Sequence, residues 1–418
     1  MCCGTILAGG DLMESVTGAK RYILGLQHAM AMFGSTVLVP LLTGIHPSIG
    51  LLTAGLGTLV FHMVTKGKVP VFLGSSFAFI AAIQIVGRQQ GLQYATGGVM
   101  AAGVVHLMLA GIVYLVGVDR IRSFFPPVVT GPMIMVIGLT LSPVAVGMAQ
   151  KGWGIASITL AAVLITSVYA RGFLKLLPIL SGVIVGFLAA AVFGHINAQP
   201  LAQAPWFALP PFALPKFSLS AISMIAPLAF VTMVEHIGDI TTNGAVIGKD
   251  LIRDPGLHRT LMGDGLAGIL AGALGGPAAT TYAENTGVLA VTKVYDPGII
   301  RIAAGFAIAM AFVGKLGALL RSLPEPVMGG ISIVLFGMIC AIGIRTVVDA
   351  RIDFSNSRNL VIAAIILVMG LGGATVHLGP NLELHGMALA AVIGVALNKL
   401  LPERLAVEPE AGLTGETE

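Results

Sequence analysis

Twelve apolar runs that could each cross a hydrocarbon core of roughly 30 Å divide this chain. They cover residues 22–43, 48–65, 95–117, 126–149, 155–170, 173–194, 220–240, 260–275, 298–318, 326–344, 358–372 and 385–401. A bilayer offers no water to unpaired backbone groups, so such runs must fold as helices. Composition agrees, since 56% of the 418 residues are hydrophobic, mean hydropathy is +0.95 and only 10% are charged. A soluble domain carries roughly 25% charged residues, and this chain is therefore no soluble globular protein. Its 23 Lys and Arg fall singly between the runs instead of clustering on one face, which excludes nucleic acid as a partner despite the net charge of +4. The 55 Gly and 22 Pro predict broken helices, tolerated where protein or a water-filled cavity satisfies the freed backbone. Cys2, Cys3 and Cys340 have no metal or disulfide spacing.

Two further apolar pieces, 76–87 and 284–294, are too short to span and each follows an irregular Gly, Ser or Thr segment. With them the count is fourteen crossings, which puts both termini on one side. Of the basic residues, only Arg88, Lys151, Lys216, Lys315 and Arg321 then fall on the opposite side, so the positive-inside rule makes both termini cytoplasmic. The first 21 residues lack a basic region ahead of an apolar core, and the first run is expected to direct insertion itself.

An internal repeat follows from alignment. Gly25-Leu26-Gln27-His28 matches Met233-Val234-Glu235-His236 at an offset of 208, and the same offset lays Ser76-Phe77 on Glu284-Asn285. Pro127-Val128 with Gly131 and Gly138 matches Pro326-Val327 with Gly330 and Gly337 at an offset of 199. Seven crossings precede the second copy, and seven is odd, so the two halves are inverted. Inverted repeats bring short broken helices together at the midplane, where their N-terminal N–H groups and dipole ends favour a polar or anionic small molecule.

Most of the 19 acidic residues fall in loops, at run edges or in tails, but Glu235, Asp239 and Glu284 lie in or at the mouth of membrane segments. Carboxylates in lipid are costly and mark function. Glu235 and Asp239, four apart, share one helical face. Three carboxylates around one pocket cannot all ionise cheaply, so at least one holds a proton near neutral pH, the electrostatic basis of proton coupling. A purely structural role, hydrogen-bonding neighbouring helices, is the alternative for Glu235. Asp264, about one turn into its run, is expected to cap the cytoplasmic edge. His28 is a candidate proton carrier, whereas His236, next to Glu235, points to another face. Phe77 and Phe336 stand beside the broken-helix and repeat signatures, where a ring can stack on a flat substrate. Phosphate loops, zinc motifs and nucleophile elbows are absent, so no enzyme is expected.

The run Glu284-Asn285-Thr286-Gly287, ending in Thr292-Lys293, resembles the signature of the nucleobase-ascorbate transporters, also called nucleobase:cation symporters. Leu26 to Gly34 (LQHAMAMFG), Leu73 to Phe79 (LGSSFAF) and Asp254 to Arg259 (DPGLHR) resemble the bacterial uracil permeases within it. The resemblance runs from about residue 20 to 402. It implies an all-α polytopic fold of fourteen segments in two inverted repeats of seven, with short strands leading into two half-helices. It also implies a core domain (22–118 and 220–320) that moves against a gate domain (119–194 and 321–402), an extracytoplasmic loop at 195–219, cytoplasmic tails at 1–21 and 403–418, and a homodimer in the inner membrane. The resemblance implies that Glu235 and Glu284 bind the ring N–H groups of uracil. By the same resemblance, backbone at Phe77 and Glu284 meets its carbonyls, the Phe77 ring packs on the base and Phe336 belongs to the gate.

Uracil is a flat ring with two N–H donors and two carbonyl acceptors, the complement of carboxylates plus helix-end N–H groups. The expected activity is uracil import by proton symport, with no cofactor. No oxygen cage for sodium is evident, and protons are favoured over it. In this reading Asp239 and His28 tune or carry the proton, and Asn285 with Ser76 holds the crossing half-helices. Two departures from the pattern bear on substrate. Asp239 stands where uracil permeases commonly have His and purine carriers Asp, and Ala283 replaces a Gly beside the base. Xanthine or uric acid is therefore the alternative substrate. An anion channel or exchanger on the same fold is a further alternative, yet no Lys or Arg occurs in 70–87 or 277–292. A base-binding receptor would need a signalling domain that the loops do not contain.

Overall fold

The computed structural model describes residues 18–196, 199–379 and 382–402. Residues 1–17 and 403–418, most of the two expected tails, lie outside the described residues, as do Cys2, Cys3 and Arg404.

In chain order the helices of the first half are α1 (Ala19–Thr43), α2 (Pro47–Val64), α3 (Ile80–Gln89), α4 (Leu92–Val116), α5 (Val118–Arg122), α6 (Pro127–Gln150), α7 (Trp153–Tyr169) and α8 (Pro178–Val192). Then follow α9 (Gln199–Gln203), α10 (Leu219–Ile225), α11 (Leu228–Ile247), α12 (Leu257–Ala273), α13 (Ala283–Thr292), α14 (Pro297–Ala311), α15 (Gly314–Arg321), α16 (Glu325–Asp349), α17 (Ser357–Leu371) and α18 (Gly386–Leu400). Four short strands interrupt them: β1 (Leu73–Ser75), β2 (Ala279–Thr281), β3 (Thr375–Gly379) and β4 (Leu382–His385). Among the described residues, α1, α2, α4, α6, the α10–α11 pair and α16 are long and apolar enough to cross a membrane. The apolar helices α7, α8, α14, α17 and α18, and the Phe77–Gln89 segment that contains α3, are shorter.

The largest helix contacts are α6 on α16, α4 on α12, and α2 against both α14 and α12. With no hydrophobic driving force between helices in lipid, close backbone approach through small residues replaces it. Gly103 of α4 and Gly265 of α12 face each other so closely that a Cβ on either would sit 2.7–2.8 Å from the other's carbonyl oxygen.

Three expected runs are broken or trimmed. The run 220–240 is split at Ala226-Pro227, because proline has no N–H to continue the ladder and its ring crowds the preceding turn, and the second piece reaches Ile247. The run 298–318 stops at Ala311 and resumes at Gly314, because Val313 is extended and bridges Phe207. The run 173–194 opens with a 3-10 turn at Gly172–Leu176 and becomes α-helical only at Pro178, a residue suited to a first helical turn. The antiparallel hairpin β3–β4 sits in what reads from sequence as a plain linker.

Candidate functional site

The site is organised by two three-residue strands. β1 and β2 pair antiparallel with Leu73 opposite Thr281, Gly74 opposite Thr280 and Ser75 opposite Ala279. The ladder is prolonged by the Ser76 N–H donating to the Ala278 carbonyl (2.8 Å) and the Tyr282 N–H to the Phe72 carbonyl (3.0 Å). Each strand then turns into a short helix: β1 through a 3-10 turn at Phe77–Phe79 into α3, and β2 through Tyr282 into α13. First-turn N–H groups have no partner inside their own helix, so the crossing presents two sets of free donors and two positive dipole ends at the protein centre. Gly74 is required here: a Cβ would run into the Tyr282 ring, whose hydroxyl donates to the Ser75 carbonyl at 3.0 Å.

Helix α1 fixes α13. Asn285 is fully buried, and its Nδ2 donates to the His28 carbonyl (3.1 Å) and lies 3.2 Å from His28 Nδ1. Seven residues on, the buried Ser35 Oγ donates to Glu284 Oε1 at 2.6 Å. Glu284 is the second residue of α13, so this bond ties one carboxylate oxygen to α1. On α11, Asp239 Oδ2 accepts from Thr281 Oγ1 at 2.7 Å. Glu235, one turn earlier, is half-buried. Ala283 is exposed at the start of α13. The half-buried Phe77 ring meets Phe336 of α16, which is 2% exposed, edge to face, with centroids 6.3 Å apart and planes at 74°. Ser76 contributes through its backbone, since its buried hydroxyl has no partner among the described residues.

The structure thus gathers Glu284, Asn285, His28, Ser76 and Phe77 around the strand crossing. It brings Phe336 to Phe77 from a different helix and sets Asp239 on β2. His236 points away: it is fully buried, its Nδ1 is 3.6 Å from Asp264 Oδ2, and its ring lies edge-on to Phe61. Asp264 therefore does not cap an edge. Helix α12 begins at Leu257, so Asp264 lies about two turns inside it, wholly buried against α11.

Ser35, Thr281 and Tyr282 escape the sequence reading. A helical signal for Ser35 exists, because it lies two turns beyond His28 on the same face of α1. Thr281 and Tyr282 precede Glu284 in a segment whose strand character is invisible in three residues. If Ser35 orients Glu284, Ser35→Ala raises KM for substrate roughly 3–10-fold with little change in maximal rate, the worth of one hydrogen bond of about 1 kcal/mol. Ser35→Thr, which keeps the hydroxyl, restores it. Initial-rate uptake over a range of substrate concentrations separates the two parameters.

Chemically, the arrangement offers carboxylate acceptors on α11 and α13, backbone donors at two helix ends, and one aromatic face. A flat, uncharged ring carrying both N–H and carbonyl groups complements that set.

The chain is similar to known proteins along most of its length. A model of the permease family Xan_ur_permease matches residues 19–379. The uracil permease of Bacillus caldolyticus is 46% identical over 94% of this chain and 95% of its own. The uracil permease of Bacillus subtilis (strain 168) is 45% identical over 90% and 92%. Among solved structures, that of SLC26A9 superposes with a TM-score of 0.68 at 13% identity; it covers 91% of this chain, which spans 64% of that longer one, and the likeness is one of fold. With the family model matched over most of its length and relatives of this identity, the chain belongs to the nucleobase-ascorbate transporter family of permeases, multi-pass membrane proteins that are not enzymes.

Proposed function

We propose that the chain imports uracil across the bacterial inner membrane by proton symport with alternating access. The observation that carries this reading is the crossing of β1 and β2, where Glu284 opens α13 and Phe77 opens the turn into α3. Uracil lies there with its N–H groups on Glu235 and Glu284, its carbonyls on the helix-end N–H groups and its face on Phe77. The relatives named uracil permease support the substrate. Protons couple because Glu235, Glu284 and Asp239 bring three carboxylates to one pocket, and adding a proton relieves their repulsion.

The fold that goes with this function has fourteen segments in two inverted repeats of seven, both termini cytoplasmic. Packing supports it, because contacts come in matched pairs: α4 on α12 and α14 on α2, α7 on α8 and α17 on α18, α7 on α16 and α17 on α6. The antiparallel β1–β2 pair is what two inverted copies of one strand form at their axis. Segments 22–118 and 220–320 act as the core, segments 119–194 and 321–402 as the gate, with Phe336 the gate residue against Phe77, in a homodimer.

Xanthine or uric acid is the second reading, favoured by Asp239, which stands where purine carriers commonly have Asp. An anion channel or exchanger is disfavoured by the lack of any Lys or Arg in residues 70–87 and 277–292, the strands and first turns that form the crossing. Radiolabelled uracil uptake into proteoliposomes tests the proposal, with an inward pH gradient or an inward sodium gradient and unlabelled xanthine as competitor. The expected result is uptake driven by the pH gradient and insensitive to xanthine. Full displacement by xanthine, or dependence on sodium alone, overturns the substrate or the coupling ion.

A further inference from the structure

Between α9 and α10 the segment 204–217, with the sequence APWFALPPFALPKF, carries the most exposed cluster of large apolar side chains in a described loop. Trp206, Phe207, Leu209, Phe212, Leu214 and Phe217 are 54–81% exposed. The segment is nevertheless firmly tied down. The Gly314 N–H donates to the Trp206 carbonyl (3.0 Å), the Ala208 N–H to the Phe312 carbonyl (3.0 Å) and the Lys216 N–H to the Gln93 carbonyl (2.9 Å). The Phe207 ring stacks on Phe312 with centroids 5.7 Å apart and planes at 7°. Lys315 Nζ donates to the Leu201 and Ala202 carbonyls and lies 5.8 Å above the Trp206 ring. A backbone held at both ends with its rings turned outward is a built surface.

Its anchors give its place. Gln93 lies in the first turn of α4 and Phe312 closes α14, so the segment runs across the ends of two apolar helices. Trp and other amphipathic aromatics concentrate at the headgroup level of a bilayer, whereas a contiguous apolar patch facing bulk water marks an interaction surface. Lys216 is exposed beside the rings and complements lipid phosphates, while Lys315 is held by the Leu201 and Ala202 carbonyls. Elsewhere on the helices a cleft of about 370 Å3 without polar lining runs between α1, α8 and α15, bordered by Phe33, Phe187, Leu316 and Leu320. Ile184 and Leu188 of the same cleft are 51% and 58% exposed, which opens it sideways to acyl chains.

We propose that residues 204–217 form a lipid-docking strap whose outer rings enter the headgroup region of the adjoining leaflet, tying the ends of α4 and α14 to the membrane surface. This goes beyond the transport reading and does not depend on the substrate or on which face is cytoplasmic.

The chain has two tryptophans, Trp153 and Trp206, so Trp153→Phe leaves Trp206 as the sole indole. The protein is placed at one copy per lipid nanodisc of phosphatidylethanolamine and phosphatidylglycerol, with acyl chains brominated near the carbonyl or near the methyl end. The expected result is blue-shifted Trp206 emission, quenched more by the carbonyl-end bromines than by the methyl-end ones and little by aqueous iodide. Adding Phe212→Gln with Leu214→Gln should red-shift that emission and admit iodide. Red-shifted, iodide-quenched emission untouched by bromolipids overturns the proposal. Emission shielded from both quenchers also overturns it, because the indole is then covered by protein. No response to the Phe212 and Leu214 substitutions overturns the strap as a unit.

Discussion

Glu284→Gln abolishes concentrative uracil uptake while leaving the protein inserted and folded. The side chain sits at the start of α13 with one oxygen bound to Ser35. Glutamine fits the same volume and can still meet the Ser35 hydroxyl, so packing is preserved. It removes the negative charge proposed to face the ligand N–H, and a charge-assisted hydrogen bond is worth about 1.5–3 kcal/mol, or roughly 10–150-fold in affinity. On the proposed mechanism it also removes a group whose protonation links substrate to the gradient, so accumulation is expected to be lost even at saturating uracil. Glu235→Gln is expected to behave alike, since Glu235 is the second carboxylate proposed to meet the ring N–H groups. Equilibrium binding and gradient-driven uptake, measured side by side with the wild type, separate the two effects. Wild-type accumulation in Glu284→Gln contradicts the assignment.

Gly74→Val produces the second large effect, on assembly of the site and with it on stability. A side chain on Gly74 enters the Tyr282 ring, which is 3% exposed and pinned by its hydroxyl to the Ser75 carbonyl. Overpacking costs about 1–3 kcal/mol and the displaced hydroxyl about 1 more. The expected loss is about 2–4 kcal/mol, a drop of several degrees in melting temperature, and both half-helices lose their alignment. Transport falls to background. The double variant Gly74→Val with Tyr282→Ala removes the collision, so it recovers more stability than the two single losses predict, without regaining uptake. Thermal unfolding of the purified proteins followed by tryptophan fluorescence reads this coupling, and strict additivity contradicts the proposed contact.

How much of this was legible in the sequence depends on the signal each residue leaves. Helix positions were legible because lipid leaves a chain few options, and ends such as Thr43, Gln150 and Leu400 lie within a residue of the expected ones. Breaks at Pro227 and Val313 were not, because proline is tolerated within other helices here, as Pro40 in α1 and Pro132 in α6 demonstrate, and Val313 is bent by a distant loop. Glu235, Asp239 and Glu284 stood out because a carboxylate in an apolar run is rare. Ser35 is ordinary in such a run and Thr281 in the irregular segment before Glu284, and only the fold brings them onto those carboxylates. Asp264 was misplaced by an error of about one turn in where α12 begins, which is enough to move a side chain from a membrane edge to a buried contact with His236.

The most direct test of the central claim is the proton itself. Proteoliposomes holding a lumenal pH dye, with no initial gradient, are given uracil outside. The account predicts that uracil entry acidifies the lumen in the wild type, and that Glu235→Gln and Glu284→Gln lose this signal. Uracil entry without acidification contradicts proton symport at these carboxylates.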